Sequence, residues 1–175
     1  VPLAEDAVIQ DLELLSNEPV SSPVNPSDPA WATEKVIAEF EQLDCLSVFR
    51  QPGQVDDPTR ALVTCDENYL YRYILGPVEV QGASISDASA GTVTTQTGAS
   101  TNTWAVNLEF NAEGTEAFGQ VTARLFGQPS PADQFAITLD GLVITAPSTN
   151  AVITNGQAQI TGSFTQESAT VLSDQ

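Results

Sequence analysis

The sequence contains no histidine and no methionine, only two cysteines, and only five basic residues among 175. Without histidine, the chain lacks the usual general base, the serine–histidine nucleophile system and a common zinc ligand. It has neither a Walker A sequence nor the glycine fingerprint of dinucleotide-binding proteins. These absences predict a binding or mechanical module and not an enzyme, with no catalytic residue, no metal site and no cofactor.

Two pairs of adjacent carboxylates, Asp56-Asp57 and Asp66-Glu67, remain as candidates for acid–base chemistry. Both pairs occur in polar segments, where an acidic side chain is ordinarily a solvated surface charge. Neither pair lies in an apolar stretch that would bury it, as the general acid of a glycosidase requires. A hydrolase is therefore the weakest of the functional classes that the sequence leaves open.

The chain is strongly acidic, with 23 Asp and Glu residues and a net charge of −18. Such a surface repels nucleic acid and anionic lipid, so we expect neither as a partner. The charge either attracts basic clients or only keeps the protein soluble. No apolar run reaches the roughly 18 residues of a membrane-spanning helix, and residues 1–10 lack the features of a signal peptide. We therefore expect a mature protein or a soluble fragment, without membrane insertion.

Cys45 and Cys65 are the only cysteines, and two thiols without a histidine cannot form a zinc site. The residues alone leave two alternatives open, a disulfide or two buried thiols. Segment 50–60 between the cysteines is polar and is predicted to be a loop. A disulfide would hold the two ends of this loop together.

Residues 1–61 predict a helical and proline-rich extension. Apolar residues recur at helical spacing over residues 3–15, which predicts a first helix. Four prolines between residues 19 and 29 prevent helices and sheet ladders, so an extended linker is expected there. Asp28 before Pro29 is typical of a helix start and predicts a second helix from Pro29 to about Leu43.

From residue 62 onward, apolar and polar residues alternate as they do in half-buried strands. Strands are predicted in YLYRYILG, continuing into PVEVQG, and in TWAVNLEF. The small and hydroxylated residues 82–103 predict a long exposed loop. Asn111 predicts the start of a helix that ends at Gly127, with Phe118, Val121 and Leu125 facing the sheet.

Two β-hairpins are predicted next, because Asp140-Gly141 and Asn155-Gly156 are turn dipeptides between alternating apolar residues. Pro147 separates them, since proline interrupts a strand, and Thr165 is expected to start a last helix. The predicted fold class is α+β: an antiparallel β-sheet with helices packed on one face, plus the N-terminal helical and proline-rich extension.

Several stretches resemble the large extracytoplasmic loop of SecD, a membrane subunit of the protein-export machinery, in its actinobacterial type. They are YILGPVEVQGASISDASAG, WAVNLEFNAEGTEAFGQVT and FAITLDGLVITAPSTNAVITNGQAQITGSFTQESATVL. Together they span about residues 62–175 in the order and at the spacing of the family. The positions of family motifs and hairpins are Gly82, Ile85, Ala88, Asp140, Gly141, Ala146, Pro147, Asn155 and Gly156.

The resemblance implies a part in protein export at the extracytoplasmic face of the membrane. SecD works with SecF beside the SecYEG translocon and uses the proton gradient to help move unfolded secretory polypeptide outward. Its first extracytoplasmic domain has a ferredoxin-like base and an inserted head that captures and releases the client. The resemblance thus implies a head over residues 62–155 and, over 156–175, a strand and helix of a base whose other half is absent. It also favours a disulfide between Cys45 and Cys65.

On the same resemblance, the last strand is expected either to lean on the head or to leave an exposed sheet edge. No residue is assigned to client binding, because Trp104, Phe110 and Phe118 occupy core positions in their patterns. The main alternative is a secreted surface or adhesion module without a role in export. Its contact surface would be the exposed loop predicted over residues 82–103.

Overall fold

The structure is a computed structural model, and it describes residues 11–47, 56–94, 98 and 100–161. In chain order the helices and strands are α1 (Glu34–Gln42), β1 (Leu62–Cys65), β2 (Arg72–Leu75), β3 (Ile85–Thr94), β4 (Ser100–Phe110), α2 (Ala112–Leu125), β5 (Ile137–Leu139), β6 (Leu142–Thr145) and β7 (Gln157–Thr161). The strands form three antiparallel sheets, β1-β2, β3-β4-β7 and β5-β6. This mixture of helices and antiparallel sheets confirms the predicted α+β class.

The chain divides into two compact units, and the first of them is discontinuous in sequence. The first unit is formed by Val1–Val78 and Ile137–Ile144, and the second by Glu79–Ala136 and Thr145–Gln175. The β5-β6 hairpin therefore belongs to the first unit. Within that unit it is joined to β1, because the Thr64 hydroxyl donates to the Gly141 carbonyl and the Glu67 N–H donates to the Val143 carbonyl.

In the first unit, α1 packs on β1 and β2 and buries Val36 and Ala38. The helix begins at Glu34 because the Thr33 hydroxyl accepts a hydrogen bond from the Val36 N–H at 3.3 Å. The predicted start at Pro29 is therefore wrong. Asp28 does cap a turn there, but it is a 3₁₀ turn of three residues, Pro29–Trp31. The backbone leaves the helical region at Ala32, where ψ is 72°, so a new cap is needed.

The helix predicted over residues 3–15 is present only as a single turn in the described part of the chain. Residues 3–10 lie outside the described residues, and Leu12–Leu14 form a 3₁₀ turn capped by the Asp11 carboxylate. The proline-rich stretch that follows has bends and turns and no strand, as its composition predicts.

The exposed loop predicted over residues 82–103 is the largest error of the sequence analysis. Residues 85–94 form β3, which pairs with β4. Small side chains occupy β3 because its inner residues lie opposite bulky ones: Ala88 is opposite Leu108, and Ala90 is opposite Val106. The composition of these residues indicated a loop, but their pairing with β4 makes them a strand.

The core of the second unit lies between its sheet and α2. Val106 and Ile160 are cross-strand partners, 0% and 2% exposed. From the helix, Phe118, Val121 and Leu125 are buried as predicted. The Phe118 ring lies 4.9 Å from the Phe110 ring and 5.3 Å from the Phe135 ring, measured between centroids.

The predicted boundaries of α2 are confirmed. The Asn111 side chain accepts a hydrogen bond from the Gly114 N–H at 2.9 Å, and the helix ends just before Gly127, whose φ is +82°. Gly114 is required at this cap, because a Cβ there would lie 2.7 Å from the Ser84 carbonyl oxygen. The start of α2 thus packs tightly against the turn that precedes β3.

Of the two predicted hairpins, the first is confirmed and the second is wrong. Asp140 and Gly141 have φ of 49° and 75° and connect β5 to β6, as a type I′ turn does. Asn155-Gly156 connects no hairpin, because residues 151–154 form no strand. Instead, β7 pairs with β4, and the Gly156 carbonyl accepts a hydrogen bond from the Phe110 N–H.

Three further expectations concern PVEVQG, the last strand and the last helix. PVEVQG, residues 77–82, is not a strand; the chain bends there before entering β3. The last strand, β7, pairs with β4, and no strand pairs with its other edge in the part of the chain that the structure describes. The last helix predicted from Thr165 lies outside the described residues.

Candidate functional site

Large apolar side chains that face solvent are concentrated in the first unit. Of eleven such side chains among the described residues, nine belong to this unit. They are Leu14, Val20, Val24, Ile37, Leu46, Leu70, Tyr71, Ile74 and Val78, whereas the second unit contributes Phe126 and Val152. Single exposed apolar residues are ordinary, whereas contiguous apolar patches mark interaction surfaces, and a unit that exposes most of these side chains is the first place to look for such a patch. The first unit is therefore the candidate for contact with a polypeptide.

Strand β2 offers the clearest place for such a contact. It pairs with β1 on one side, and within the described ranges no strand pairs with its other edge. Ile74 on this strand is 37% exposed, and Tyr71, the residue before the strand begins, is 65% exposed. Unpaired backbone groups beside apolar side chains are what an extended peptide uses when it adds a strand to a sheet.

The turn before β2 is held in place by the buried carboxylate of Asp66. Its Oδ1 accepts hydrogen bonds from the Leu70 N–H at 2.7 Å and from the Tyr71 N–H at 2.6 Å. Tyr69 completes the turn in the left-handed region, with a φ of 59°. Leu70 and Tyr71 are thus displayed to solvent by a hydrogen-bonded turn, which lowers the entropy lost when they contact a partner.

Arg72 and a disulfide fix β1 and β2 relative to α1. The Arg72 Nη1 donates to the Phe40 carbonyl at 2.8 Å and to the Glu41 carbonyl at 3.1 Å, which satisfies the C-terminal end of α1. Its guanidinium lies 5.0 Å from the centroid of the Phe40 ring. The structure contains the disulfide between Cys45 and Cys65, with 5.8 Å between the Cα atoms. The turn that carries Leu70 and Tyr71, together with β2, is therefore held against the end of α1.

Hydrogen bonds lower the pKa of three exposed carboxyls in the first unit. The Val24 and Ala30 N–H groups lower the pKa of Asp28, and the Ser47 hydroxyl together with the Leu46 N–H lowers that of Asp44. The Thr59 hydroxyl and N–H lower the pKa of Asp57. Burial raises the pKa of Tyr73. Each carboxylate organises a local turn in its ionised form.

The first unit is expected to weaken in acid because of these carboxylates. A carboxyl whose pKa is lowered in the folded state contributes stability above its ordinary pKa, about 3.9, and loses it as the pH falls through the lowered value. Emission of Trp31 should therefore report loosening of the unit below about pH 4. Asp28→Asn keeps a cap acceptor that does not titrate, so the change of Trp31 emission with falling pH should be shallower in this variant than in the native chain. Identical acid curves for the two proteins would contradict this account.

The outer face of the three-stranded sheet in the second unit is polar and internally hydrogen-bonded. The Gln159 Nε2 donates to the Asn107 Oδ1 at 2.9 Å, and the Gln157 Nε2 donates to the Glu109 Oε1 at 3.0 Å. These side chains are hydrogen-bonded to one another across the strands. This face consequently offers less to an apolar partner than the first unit does.

The motif positions carried over from the family resemblance are structural and do not form one site. Asp140 and Gly141 make the β5-β6 turn in the first unit, as described above. The positions in the second unit are Gly82, Ile85 and Ala88 around the start of β3, Ala146 and Pro147 after β6, and Asn155 and Gly156 before β7. They remain predictions as family motifs, since their geometry supports turns and strand ends only.

Neither a metal centre nor a membrane-spanning helix is present in the described residues. Among residues 11–47, 56–94, 98 and 100–161, no group of three or more His, Cys, Asp or Glu could hold a metal ion. No helix in these ranges is long and apolar enough to cross a bilayer.

The sequence analysis missed the exposed apolar surface of the first unit. Val20 and Val24 stand singly in the proline-rich stretch, where no periodicity assigns them to a core. Leu70 and Tyr71 were included in a strand, although the polar sequence DEN before them signals a turn. An apolar pair directly after a turn signal was the available indication of exposure.

Comparison with known protein families shows a match to the family described as SecDF, P1 head subdomain, over residues 61–175. The matched range includes residues 156–175, which the sequence analysis assigned to a base. The division of the chain at residues 61 and 155 stays a prediction, because the family match does not draw these boundaries.

Among curated proteins, the protein translocase subunit SecD of Streptomyces coelicolor is 34% identical over 148 residues, covering 82% of this chain and 25% of that protein. SecD of Mycobacterium tuberculosis H37Rv is 30% identical over 129 residues, covering 74% of this chain and 21% of that protein. This chain thus spans about a quarter of such relatives or less.

Among solved structures, one reported as "Structure and function of a membrane component SecDF that enhances protein export" is 38% identical. The match covers 57% of this chain and 40% of that chain, with a TM-score of 0.44. The family match covers well over half of the chain and agrees with the SecD relatives. The chain therefore belongs to the SecD family, in the region of its first extracytoplasmic domain.

Proposed function

We propose that this chain contacts unfolded secretory polypeptide at the extracytoplasmic face of the membrane during export. The contact is reversible and tolerant of sequence, and the chain carries no catalytic activity. The concentration of exposed apolar side chains in the first unit supports this proposal, together with membership of the SecD family. A module that holds many different clients needs apolar contacts and backbone pairing, because neither depends on a particular sequence.

The edge of β2 that pairs with none of the described strands supplies the backbone part of this contact. An extended client can align beside Arg72–Leu75 and form main-chain hydrogen bonds, while Tyr71 and Ile74 contact its side chains. Because the turn and the strand are already fixed by Asp66 and Arg72, little ordering entropy is lost on binding. Weak and rapid contact is what capture and release require.

In the complete protein, the partners on this proposal are SecF, the SecYEG translocon and the emerging client. The energy comes from the proton gradient and is transduced by other parts of that protein. This chain contributes the contact that moves with the client.

Photocrosslinking to a stalled secretory chain tests the proposal. A photoreactive residue placed at Tyr71 or Ile74 of full-length SecD should crosslink to a client arrested in the translocon. The matched control is Val152, which is 46% exposed in the second unit, against 37% for Ile74. We expect crosslinks at the two first-unit positions in at least severalfold excess over the control.

Crosslinks only at Val152 would mean that the first unit is not the contact surface. An absence of client crosslinks at every position, in a translocon that is actively exporting, would overturn the proposed function. Secretion that proceeds unchanged when the chain is deleted from SecD would favour the adhesion alternative.

A further inference from the structure

A cavity of about 270 Å³ lies in the first unit, and no residue of β2 lines it. Its walls include Pro19, Trp31, Val36 and Ala61, and its lining also includes Glu18 and Arg60. Of these residues only Ala61 falls within the range 61–175 that matches the SecDF head family. The cavity is thus a feature of the N-terminal extension, for which the family match supplies no role.

Four of the residues that line the cavity are apolar, and two polar groups in its walls already have partners. The Trp31 Nε1 donates to the Asn25 carbonyl at 3.0 Å, and the Thr33 hydroxyl donates to the Asn17 Oδ1 at 3.1 Å. The indole ring and the aliphatic surface of Pro19, Val36 and Ala61 remain for the apolar part of a ligand. The volume lies just below the range of about 300–1,000 Å³ that drug-sized ligands and cofactors occupy. A single large apolar side chain suits this space.

Two charged side chains stand at the mouth of the cavity, as their exposure shows. The side chains of Arg60 and Glu18 are 47% and 83% exposed, and Arg60 Nη2 lies 3.9 Å from Glu18 Oε1. The Arg60 Nη1 also donates to the Asn17 carbonyl at 3.3 Å. A guanidinium has five N–H donors, so these contacts leave it able to bind a peptide carbonyl. The loose ion pair leaves the Glu18 carboxylate able to meet a second cation.

The charge of the surrounding chain decides which polypeptide is preferred. Residues 1–78 contain 14 acidic and four basic residues, a net charge of −10. An acidic segment is repelled by this field, whereas a basic segment is attracted.

We propose that this cavity binds one large apolar side chain of an extended polypeptide segment that has lysine or arginine next to it. The apolar side chain lies against Trp31 and Val36, and the peptide carbonyl accepts a hydrogen bond from Arg60. The neighbouring basic side chain pairs with Glu18. This inference rests on the proposed function, since the segment belongs to the client, and it adds a recognised sequence type to an otherwise tolerant contact.

Fluorescence of Trp31 reports occupancy directly, because Trp31 and Trp104 are the only tryptophans. In the 175-residue chain carrying Trp104→Phe, emission of Trp31 is followed during titration with the end-capped peptide Gly-Lys-Leu-Lys-Gly. Saturable change is expected with this peptide. The peptide Gly-Glu-Leu-Glu-Gly should bind about tenfold more weakly, and Gly-Lys-Ala-Lys-Gly should give no saturable change.

Three variants locate the binding. Ala61→Leu fills the cavity and should abolish the response of Trp31. Glu18→Gln replaces an exposed residue. It should weaken binding of the lysine peptide about two- to fivefold and leave binding of Gly-Gln-Leu-Gln-Gly unchanged. Glu13→Gln makes the same change of net charge elsewhere in the extension and should have no effect. An unchanged thermal midpoint of each variant shows that the fold is kept.

Equal binding of the lysine, glutamate and alanine peptides, or equal effects of Glu18→Gln and Glu13→Gln, would overturn the inference. So would a response that survives Ala61→Leu. If the emission of Trp31 does not change with any peptide while a stalled client still crosslinks at Tyr71 or Ile74, the cavity proposal fails and the proposed function stands. If the client crosslinks nowhere on the chain, the proposed function itself fails.

Discussion

Replacing Phe118 by alanine is expected to lower the free energy of unfolding of the second unit by about 3–5 kcal/mol. Phe118 is 6% exposed and contacts the rings of both Phe110 and Phe135. The substitution removes the buried ring and leaves a cavity between α2 and the sheet, which the β-strands cannot close without losing their pairing with one another. A loss of this size is a large fraction of the stability of a small domain.

Urea denaturation followed through Trp104 measures this effect, because Trp104 lies on β4 in the second unit. The matched control is Phe126→Ala, one residue beyond the end of α2, where the ring is 52% exposed. Its effect should stay within about 0.5 kcal/mol. If the two variants lose similar amounts of stability, Phe118 does not occupy the core that the ring contacts describe.

Removing the disulfide is the second change with a large expected effect. Cys45 and Cys65 close a loop with a sequence separation of 20 residues, and Cys65 is fully buried. In the chain-entropy model, opening such a loop costs about 3 kcal/mol, because the unfolded chain regains the freedom that the bond removed. The double variant Cys45→Ser/Cys65→Ser should therefore unfold at markedly lower urea concentration when followed through Trp31.

The second unit supplies an internal control for this experiment. The transition followed through Trp104 should shift much less than the one followed through Trp31, because the cysteines belong to the first unit. The same difference is expected when the native chain is reduced with dithiothreitol. A shift of equal size at both tryptophans would show that the two units unfold as one, and an unchanged Trp31 transition would show that the bond adds no stability.

Local turn and cap chemistry was predictable from the sequence, because it depends on residues a few positions apart. Asn111 as the cap of α2 and Asp140-Gly141 as a hairpin turn needed no knowledge of distant contacts. The same rule failed at Asn155-Gly156, since whether a turn makes a hairpin depends on what the strand after it pairs with. There β4, some 50 residues earlier in the chain, is the partner of β7.

Strand β3 could not be predicted for the same reason. Ile85–Thr94 consists of small and hydroxylated residues that carry no alternation of their own, and its identity as a strand comes from β4. The candidate contact surface was only partly predictable: the turn signal before Leu70 and Tyr71 indicates their exposure, but the hydrogen bonds by which Asp66 holds that turn are not evident from the sequence. Family resemblance identified the region of the protein, and its motif positions, which stay predictions as family motifs, lie in turns, at strand ends and, for Ala88, within β3.

The return of the β5-β6 hairpin to the first unit has a consequence for how the chain is made. A polypeptide leaving the ribosome with its N-terminus first cannot complete the first unit until Ile144 has emerged, long after Val78. Residues Glu79–Ala136 of the second unit emerge while the first unit still lacks this hairpin. No single cut yields both units intact, since an N-terminal fragment ending at Val78 would lack the strands that accept the hydrogen bonds of Thr64 and Glu67. The first unit is thus completed by a segment, Ile137–Ile144, that lies in the sequence between the two parts of the second unit.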